Sequence, residues 1–261
     1  MIKQIPNLFT LLNLVFGCIA IVYVMQPGIG IVETEISPEN PLGQRLEWLP
    51  EAIYLAPLFI ALAALVDFLD GFVARLLGAA SNMGKQLDSL ADVVSFGVAP
   101  GLIIYQFLRM ALAARPDGLD ASMAWLLPAF VLPAAAAYRL AKFNIDTRQT
   151  YCFRGTPVPS VGLTVASLPL VYWGSNNATL IGLISNTWVL YAVVALLSGL
   201  MVSDIPIMSN KPRQFKLPYL LPQICVAAVG LLATPFLGWL AVPVTFAAFV
   251  IFSIIFKKQI Q

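Results

Sequence analysis

The sequence predicts an all-α polytopic membrane protein, a bundle of about eight transmembrane helices with both termini on the cytoplasmic side. Hydrophobic residues make up 59% of the 261 residues and charged residues only 11%, whereas soluble domains contain about 25% charged residues. The mean hydropathy is +0.85. Such a surface faces lipid, where backbone polar groups have to be satisfied within helices. The apolar runs are too long and too uniform for a β-barrel, whose strands alternate over about 10 residues.

Eight apolar stretches each approach the roughly 20 residues that a bilayer requires. The predicted spans are residues 8–26, 52–77, 85–108, 122–142, 158–175, 179–201, 217–234 and 238–256. Pro128 and Pro133 are expected to kink the fourth span, because proline removes a helix hydrogen bond. Since no internal repeat stands out, we predict one membrane domain over residues 1–261.

Basic residues are distributed unevenly between the two sets of predicted loops. With a cytoplasmic N-terminus, twelve of the 15 basic residues fall inside, and only Arg45, Arg109 and Arg115 fall outside. The positive-inside rule therefore supports an even number of spans and two cytoplasmic termini. The inner set is Lys3, Arg75, Lys85, Arg139, Lys142, Arg148, Arg154, Lys211, Arg213, Lys216, Lys257 and Lys258.

Four aspartates interrupt the second and third apolar stretches: Asp67, Asp70, Asp88 and Asp92. An ionisable side chain at the bilayer centre costs about 2.5–3.5 kcal/mol, so each carboxylate needs a compensating environment. The first pair is spaced i, i+3 and the second i, i+4, which places each pair on one helix face. Because these two spans form an antiparallel hairpin, we expect the four carboxylates to converge in an oxygen-rich cup. Such a cup can hold one or two Mg²⁺ ions.

The chain contains no histidine, and this absence narrows its chemistry. Proton transfer falls to a carboxylate, lysine, tyrosine or cysteine. A bound metal would be a hard cation held by oxygen atoms, Mg²⁺ or Mn²⁺ rather than zinc. The three cysteines are widely spaced and form no disulfide or zinc pattern. The net charge is only +2, and we predict no nucleic-acid partner.

Small and basic residues accompany the aspartates. Gly71 and Ala74 would let a ligand approach the backbone, although small residues also serve helix packing in membranes. Arg75 can pair with a phosphate through its planar guanidinium, or extend to the membrane interface. Gly84 precedes the predicted third helix, whose N-terminus favours phosphate.

Together these residues resemble the signature of the CDP-alcohol phosphatidyltransferase family. The pattern D-x-x-D-G-x-x-A-R-x8-G-x3-D-x3-D covers residues 67–92 without a departure. The resemblance implies that a CDP-linked lipid donates its phosphatidyl group to an alcohol and that CMP leaves. It implies Asp67, Asp70 and Asp88 as ligands of Mg²⁺ or Mn²⁺, with Asp92 as a further ligand and the catalytic base. It also assigns the CMP part to Asp67, Gly71, Ala74 and Arg75, and it suggests a homodimer.

Four further stretches are similar to the phosphatidylserine synthase branch of that family. They are residues 6–10, 95–100, 139–144 and 155–159. In the last stretch, Thr156 stands where that branch more often has leucine. The resemblance implies CDP-diacylglycerol and L-serine as substrates. From the composition we expect an integral protein of the cell's inner, cytoplasmic membrane, with the lipid bilayer as its partner, and the topology set by the basic residues places the site on the cytoplasmic side.

A serine acceptor carries a carboxylate, so its site needs a cation. Arg139, Lys142 and Arg154 lie at the predicted cytoplasmic ends of spans four and five. They are candidates for this role because a bidentate Arg–carboxylate pair also orients the ligand, although the same charges can serve only to set topology. Asn7 and Thr10 either cap the first helix or touch substrate.

Two alternatives stay open at this point. Within the same chemistry, the acceptor could be glycerol 3-phosphate or inositol, although a phosphorylated acceptor would require more cationic groups. From another class, a cation-coupled transporter could use the intramembrane carboxylates as a relay, although such proteins commonly contain repeats. CMP binding that depends on Mg²⁺ or Mn²⁺ would distinguish the enzyme from the transporter.

Overall fold

The computed structural model describes residues 4–26, 30–33, 44–47, 49–79, 81–115, 121–145, 152–208 and 217–257. Within these ranges the chain is almost entirely helical. The helices are α1 (Ile5–Met25), α2 (Ala56–Leu76), α3 (Asn82–Asp92), α4 (Ala99–Ala113), α5 (Val131–Ile145), α6 (Val158–Gly174), α7 (Ala178–Ile184), α8 (Thr187–Val202), α9 (Leu217–Leu237) and α10 (Ala241–Ile255). A π-helical segment, Val93–Val98, joins α3 to α4. Short 3-10 segments lead into three helices: Glu51–Leu55 into α2, Met123–Phe130 into α5 and Gly238–Leu240 into α10.

Several of the described segments are long and apolar enough to cross a membrane. Five meet this description: Ile5–Met25, Ala52–Leu76, Asn82–Ala113, Met123–Ile145 and Leu220–Ile255. The pair α7 and α8, bent by 63°, would make a sixth as one broken span. The chain is therefore an all-α polytopic membrane protein, as the composition predicts. The count of about eight crossings and the side of the two termini stay predictions.

The last of these segments is a hairpin rather than one rod. Gly238 adopts a φ of +52°, which glycine tolerates better than other residues, and α9 and α10 pack against each other on either side of it. A Cβ atom on Gly230 would lie 3.1 Å from Thr245 Oγ1. The sequence predicts two separate spans here, and the fold-back at Gly238 divides the segment at the same place.

The fourth predicted span also has a break. Its first part, Met123–Phe130, is a 3-10 helix that contains Pro128, and α5 begins at Val131. The expected disturbance near the prolines is therefore a change of helix type at the start of the span.

Two short antiparallel ladders were not predicted from the sequence. Strand β1 (Gly30–Glu33) pairs with β2 (Gln44–Glu47), and β3 (Cys152–Arg154) pairs with β4 (Pro206–Met208). Runs of three or four residues are too short for a period-2 pattern to be recognised. Both ladders lie in connections between helices, so they leave the fold class unchanged.

Glycines allow close packing around the π-helical segment. A Cβ on Gly17 of α1 would lie 2.3 Å from Ser95 Oγ, and one on Gly162 of α6 would lie 2.8 Å from Phe96 Cβ. Small residues of this kind let membrane helices approach closely. Residues 95–100 are thus the place where the third span meets α1 and α6, and this packing holds the preceding turn of α3 in position.

Part of the predicted inner charge set lies outside the described residues, namely Lys3, Arg148, Lys211, Arg213, Lys216 and Lys258. The complete charge distribution and the single domain over residues 1–261 therefore stay predictions.

Candidate active site

Three signature aspartates form a compact group near the turn between α2 and α3. Carboxylate oxygens of Asp67, Asp70 and Asp88 all lie within 4.8 Å of one another. Asp70 is buried and the other two are half-buried. We call these three residues the carboxylate cluster. A donor set made only of oxygen atoms suits a hard divalent cation such as Mg²⁺ or Mn²⁺, so the cluster could bind a metal.

Asp92 lies one helical turn beyond Asp88, at the edge of the cluster, and is 6% exposed. Its carboxyl group comes within hydrogen-bonding range of Asp67. From α1, Asn13 donates a hydrogen bond from Nδ2 to Asp92 Oδ1 over 3.3 Å. The structure therefore brings all four aspartates together. Asp92 borders the carboxylate cluster but is not one of its three members.

Helix α1 supports the site with two buried polar side chains. Thr10 Oγ1 donates a hydrogen bond to Asp70 Oδ2 at 2.7 Å. Asn13, three residues further along α1, donates the hydrogen bond to Asp92 described above. Sequence reasoning left Thr10 with two alternative roles and missed Asn13. One signal was available: Asn13 places an amide inside an apolar span, on the helix face of Thr10.

A cavity of about 610 Å³ opens beside the cluster, between α1 and the α2–α3 connection. Asp70 and Asp88 line it, together with Gly71 and Ala74. A Cβ built on Gly71 would meet no atom within 4 Å, so the missing side chain leaves space for a ligand. We call this space the first cavity. Arg75, the basic residue of the signature, is exposed and does not line it.

The N-terminus of α3 borders the first cavity. Ser81 caps the helix, because its Oγ accepts a hydrogen bond from the Gly84 backbone N–H at 3.0 Å. Helix α3 begins at Asn82, so Gly84 lies in its first turn and does not precede it as the sequence analysis expects. A Cβ on Gly84 would lie 3.0 Å from Asn7 Oδ1, which explains why a small residue fits there. The helix end offers a partial positive charge toward the cavity.

Lys85 also lines the first cavity and connects α3 to α5. Its ammonium donates a hydrogen bond to the Asn144 carbonyl at 2.9 Å, and Asn144 Nδ2 donates to Ser89 Oγ at 2.8 Å. These bonds orient α3 relative to the helix that carries Arg139.

Arg139 is one of the residues predicted to bind the acceptor, and its side chain is buried. It is 7% exposed, its guanidinium lies 5.2 Å from the centroid of the Phe143 ring, and it interacts electrostatically with Asp92. Its Nε atom is buried and has no hydrogen-bond partner among the described residues. A buried donor without a partner is rare in folded proteins and calls for an explanation.

Lys142 and Arg154 lie in a different environment. Both approach Asp204, with Lys142 Nζ at 2.9 Å and Arg154 Nη1 at 4.0 Å from its Oδ1 atom. We call these three residues the exposed ion cluster, because their side chains are 29%, 40% and 64% exposed in the order Lys142, Arg154, Asp204. Sequence reasoning did not identify Asp204, which neutralises part of this charge.

A glycine turn directly follows Arg154, a member of this cluster. Gly155 follows it with a φ of +74°, and a Cβ there would lie 2.3 Å from the Met201 carbonyl oxygen. The Gly155 backbone N–H donates to the Ile205 carbonyl at 3.0 Å. The Gly-Thr-Pro stretch at 155–157 therefore has a structural role at the junction of β3, α6 and α8.

Comparison of the sequence with known proteins finds one family. The model of the CDP-alcohol phosphatidyltransferase family matches residues 3–200. The CDP-diacylglycerol–serine O-phosphatidyltransferase of Bacillus subtilis strain 168 is 38% identical over 120 residues, which cover 46% of this chain and 63% of that protein. The Mycobacterium leprae protein of the same name is 33% identical over 210 residues, covering 76% of this chain and 64% of that protein.

An archaeal relative of the same name, from Methanocaldococcus jannaschii, is 32% identical over 173 residues, covering 66% of this chain and 72% of that protein. This chain thus spans less than two thirds of the length of the Bacillus subtilis and Mycobacterium leprae proteins that it matches.

Proposed function

The chain belongs to the CDP-alcohol phosphatidyltransferase family, and from this premise we propose that it transfers the phosphatidyl group of CDP-diacylglycerol to L-serine, which yields phosphatidylserine and CMP. The observation that carries the proposal is the carboxylate cluster beside the first cavity, with the oxygens of Asp67, Asp70 and Asp88 within 4.8 Å of one another. The names of the bacterial and archaeal relatives support serine as the acceptor.

The donor would bind across the first cavity and the cluster. Asp67, Asp70, Asp88 and Asp92 would hold Mg²⁺ or Mn²⁺, which when bound supplies positive charge against the diphosphate and acts as a Lewis acid. The open space at Gly71 and the neighbouring Ala74 would accommodate the CMP part. The α3 N-terminus would favour the phosphates. The involvement of Asp67 and Arg75 in CMP binding is proposed from the family resemblance.

Asp92 would act as the general base. Its carboxylate, which Asn13 orients through a hydrogen bond to Oδ1, would accept the proton of the serine hydroxyl. As that proton moves to Asp92, the serine oxygen forms a bond to the phosphorus of the phosphatidyl group, and the bond from this phosphorus to the CMP oxygen breaks. A positioned base of this kind accelerates a reaction by about 10²–10⁴-fold.

Arg139 would bind the carboxylate of serine. It interacts electrostatically with Asp92 and has a buried Nε donor without a partner among the described residues, and an incoming carboxylate would supply the missing acceptor. Lys142 and Arg154 are shared with Asp204, so we assign them the weaker role of raising the positive charge near the site. Asn7, which lines the first cavity, would contact the donor.

We further propose that the site faces the cytoplasm and that the protein resides in the cell's inner, cytoplasmic membrane. Serine and CMP are water-soluble, whereas the diacylglycerol part stays in the bilayer, so the site has to open to both. The inner charge bias supports this side. The homodimer is proposed on the family resemblance alone.

The test is a transfer assay on the full-length protein in detergent, with CDP-diacylglycerol, Mg²⁺ or Mn²⁺, and labelled serine, glycerol 3-phosphate or inositol in parallel. We expect label to enter lipid from serine only, with one CMP released for each serine transferred and with no transfer in chelator. Label from another alcohol would show that the acceptor is wrong. The absence of transfer from all three alcohols, together with the absence of metal-dependent CMP binding, would favour a transporter.

A further inference from the structure

A second cavity, of about 630 Å³, lies on another side of the carboxylate cluster. Asp67 lines this cavity, whereas Asp70 and Asp88 line the first one. Because the oxygens of these three residues lie within 4.8 Å of one another, the two cavities approach each other at the cluster. Helices α6, α9 and α10 form most of the second cavity, which we call the hairpin cavity after the α9–α10 hairpin.

The walls of the hairpin cavity are mainly apolar. The large apolar side chains that line it are Leu163, Met208, Val226, Val242, Phe246 and Phe249. Its threonines offer little to a polar ligand. The hydroxyls of Thr164, Thr234 and Thr245 each donate to a carbonyl one turn earlier in the same helix, at 2.7–2.8 Å. Their protons are thus used within the helices, so along α9 and α10 a polar occupant would find few replacements for its hydrogen bonds to water.

We propose that the hairpin cavity binds an acyl chain of the CDP-linked lipid donor, an assignment that rests on the proposed function. Such a donor has a nucleotide on one side of its diphosphate and hydrocarbon on the other. The cavities follow the same order: the first cavity for the nucleotide, the carboxylate cluster for the diphosphate, and the hairpin cavity for hydrocarbon. A volume of about 630 Å³ falls within the roughly 300–1,000 Å³ common for ligand sites.

The position of the α9–α10 hairpin is compatible with entry of the donor's acyl chain from the bilayer. On its inner side, α10 packs against α6 and β4, and Ser253 Oγ accepts a hydrogen bond from the Met208 backbone N–H at 3.2 Å. On α9, Leu231 and Leu232 are at least 67% exposed and suit contact with lipid. The hairpin also lies beyond residues 3–200, which the family model matches, so this wall of the cavity is an addition to the matched region.

Photoaffinity labelling tests the location without requiring turnover. A CDP-diacylglycerol analogue with a diazirine in one acyl chain is added to the full-length protein in phosphatidylcholine vesicles. The sample is then irradiated, and the labelled peptides are identified. We expect labels in α9 and α10 that excess CDP-diacylglycerol removes and additional phosphatidylcholine does not. Labels only in other helices would overturn the assignment. Equal competition by phosphatidylcholine would also overturn it, because the cavity would then be a general lipid site.

A substitution that narrows the hairpin cavity tests whether this cavity accommodates a long acyl chain of the donor. Val226→Trp fills the cavity from α9, and Ala227→Trp is the matched control, because Ala227 is the next residue, is exposed and does not line the cavity. For a long-chain donor we expect Val226→Trp to lower kcat/KM by roughly tenfold, the effect of excluding about two methylene groups. A donor with short acyl chains should be affected much less, and the control should leave both values near those of the wild type.

Equal losses for both donors, or an equal loss in the control, would contradict the assignment. The labelling result separates the two proposals. If wild-type protein shows the expected competed labels but transfers to no alcohol, the proposed function fails while the hairpin cavity keeps its assignment. If serine transfer occurs and α9 and α10 stay unlabelled, only the cavity assignment fails.

Discussion

Arg139 and the two cations of the exposed ion cluster, Lys142 and Arg154, carry the same positive charge, but they differ in environment. Arg139 is 7% exposed and interacts electrostatically with Asp92. The Lys142 and Arg154 side chains are 29% and 40% exposed, and both approach Asp204. From the sequence these three basic residues have equal standing as partners of the acceptor. The structure distinguishes them by burial and by the partner that each one finds.

Burial changes the free energy that a charged side chain contributes through its partner. An exposed ion pair contributes about 0–1 kcal/mol, because water and salt screen it. A buried charge that loses its partner costs about 3–5 kcal/mol, because no water replaces that partner. We therefore expect activity to depend on the buried residues Asp92, Arg139 and Thr10, and to tolerate changes in the exposed ion cluster. Four substitutions test this difference, from the largest expected effect to the smallest.

Asp92→Asn should have the largest effect. It preserves shape but removes the proposed base, so we expect serine transfer to fall by about 10²–10⁴-fold while metal-dependent CMP binding persists. The matched control is Asp204→Asn, the same chemical change in the exposed ion cluster. If Asp92→Asn retains most of its turnover, Asp92 is not the base.

Arg139→Gln should mainly weaken serine binding. Loss of a hydrogen bond to a charged group costs about 1.5–3 kcal/mol, so we expect the KM for serine to rise by roughly 10–100-fold, with little change in the KM for CDP-diacylglycerol. Initial rates at varied serine concentration measure this. Lys142→Gln provides the comparison, with an expected rise of at most about fivefold. Equal increases in both variants would contradict the distinction between the buried and the exposed cation.

Thr10→Val should weaken metal binding through Asp70. The substitution keeps the shape of the side chain but removes the hydrogen bond of 2.7 Å to Asp70 Oδ2. Residues that orient metal ligands typically contribute about 10–100-fold to metal affinity. We expect the concentration of Mn²⁺ at half-maximal activity to rise by at least about tenfold.

Thr10→Ser is the control for this change, because it retains the hydroxyl. It should keep a metal dependence near that of the wild type. If the serine and valine variants shift together, the hydrogen bond to Asp70 does not support metal binding.

Asp204→Asn should have the smallest effect. It removes the exposed partner of Lys142 and Arg154, so we expect the free energy of unfolding to change by less than about 1 kcal/mol and serine transfer to stay near the wild-type rate. Thermal unfolding in detergent and the transfer assay measure the two quantities. A loss comparable to that of Arg139→Gln would mean that the exposed ion cluster belongs to the acceptor site.

Local patterns in the sequence were sufficient for the membrane class and for the convergence of the signature aspartates. Long apolar runs predict helices because a bilayer offers backbone groups no other partner. The spacings between Asp67 and Asp70 and between Asp88 and Asp92 predict one face for each pair, and the hairpin turn between them predicts their convergence. The structure agrees with this geometry, and the family match agrees with the signature.

Boundaries and short elements were predicted less well. Helix α3 begins at Asn82, three residues before the predicted start of the third span, because Ser81 caps it. The ladder of β3 with β4 joins segments on either side of α6, α7 and α8. Its strands are three residues long and carry no pattern that would reveal the pairing.

By itself, the sequence determined that this is a helical membrane protein with four acidic residues that converge and could bind a metal, because hydrophobicity and helical spacing act over a few turns. Only the tertiary structure decided which residues support and extend the site. Asn13 meets Asp92 across 79 positions and Thr10 meets Asp70 across 60. The hairpin cavity brings Asp67 to α9 and α10. These contacts depend on which helices pack together, and helix periodicity carries no information about packing between distant segments.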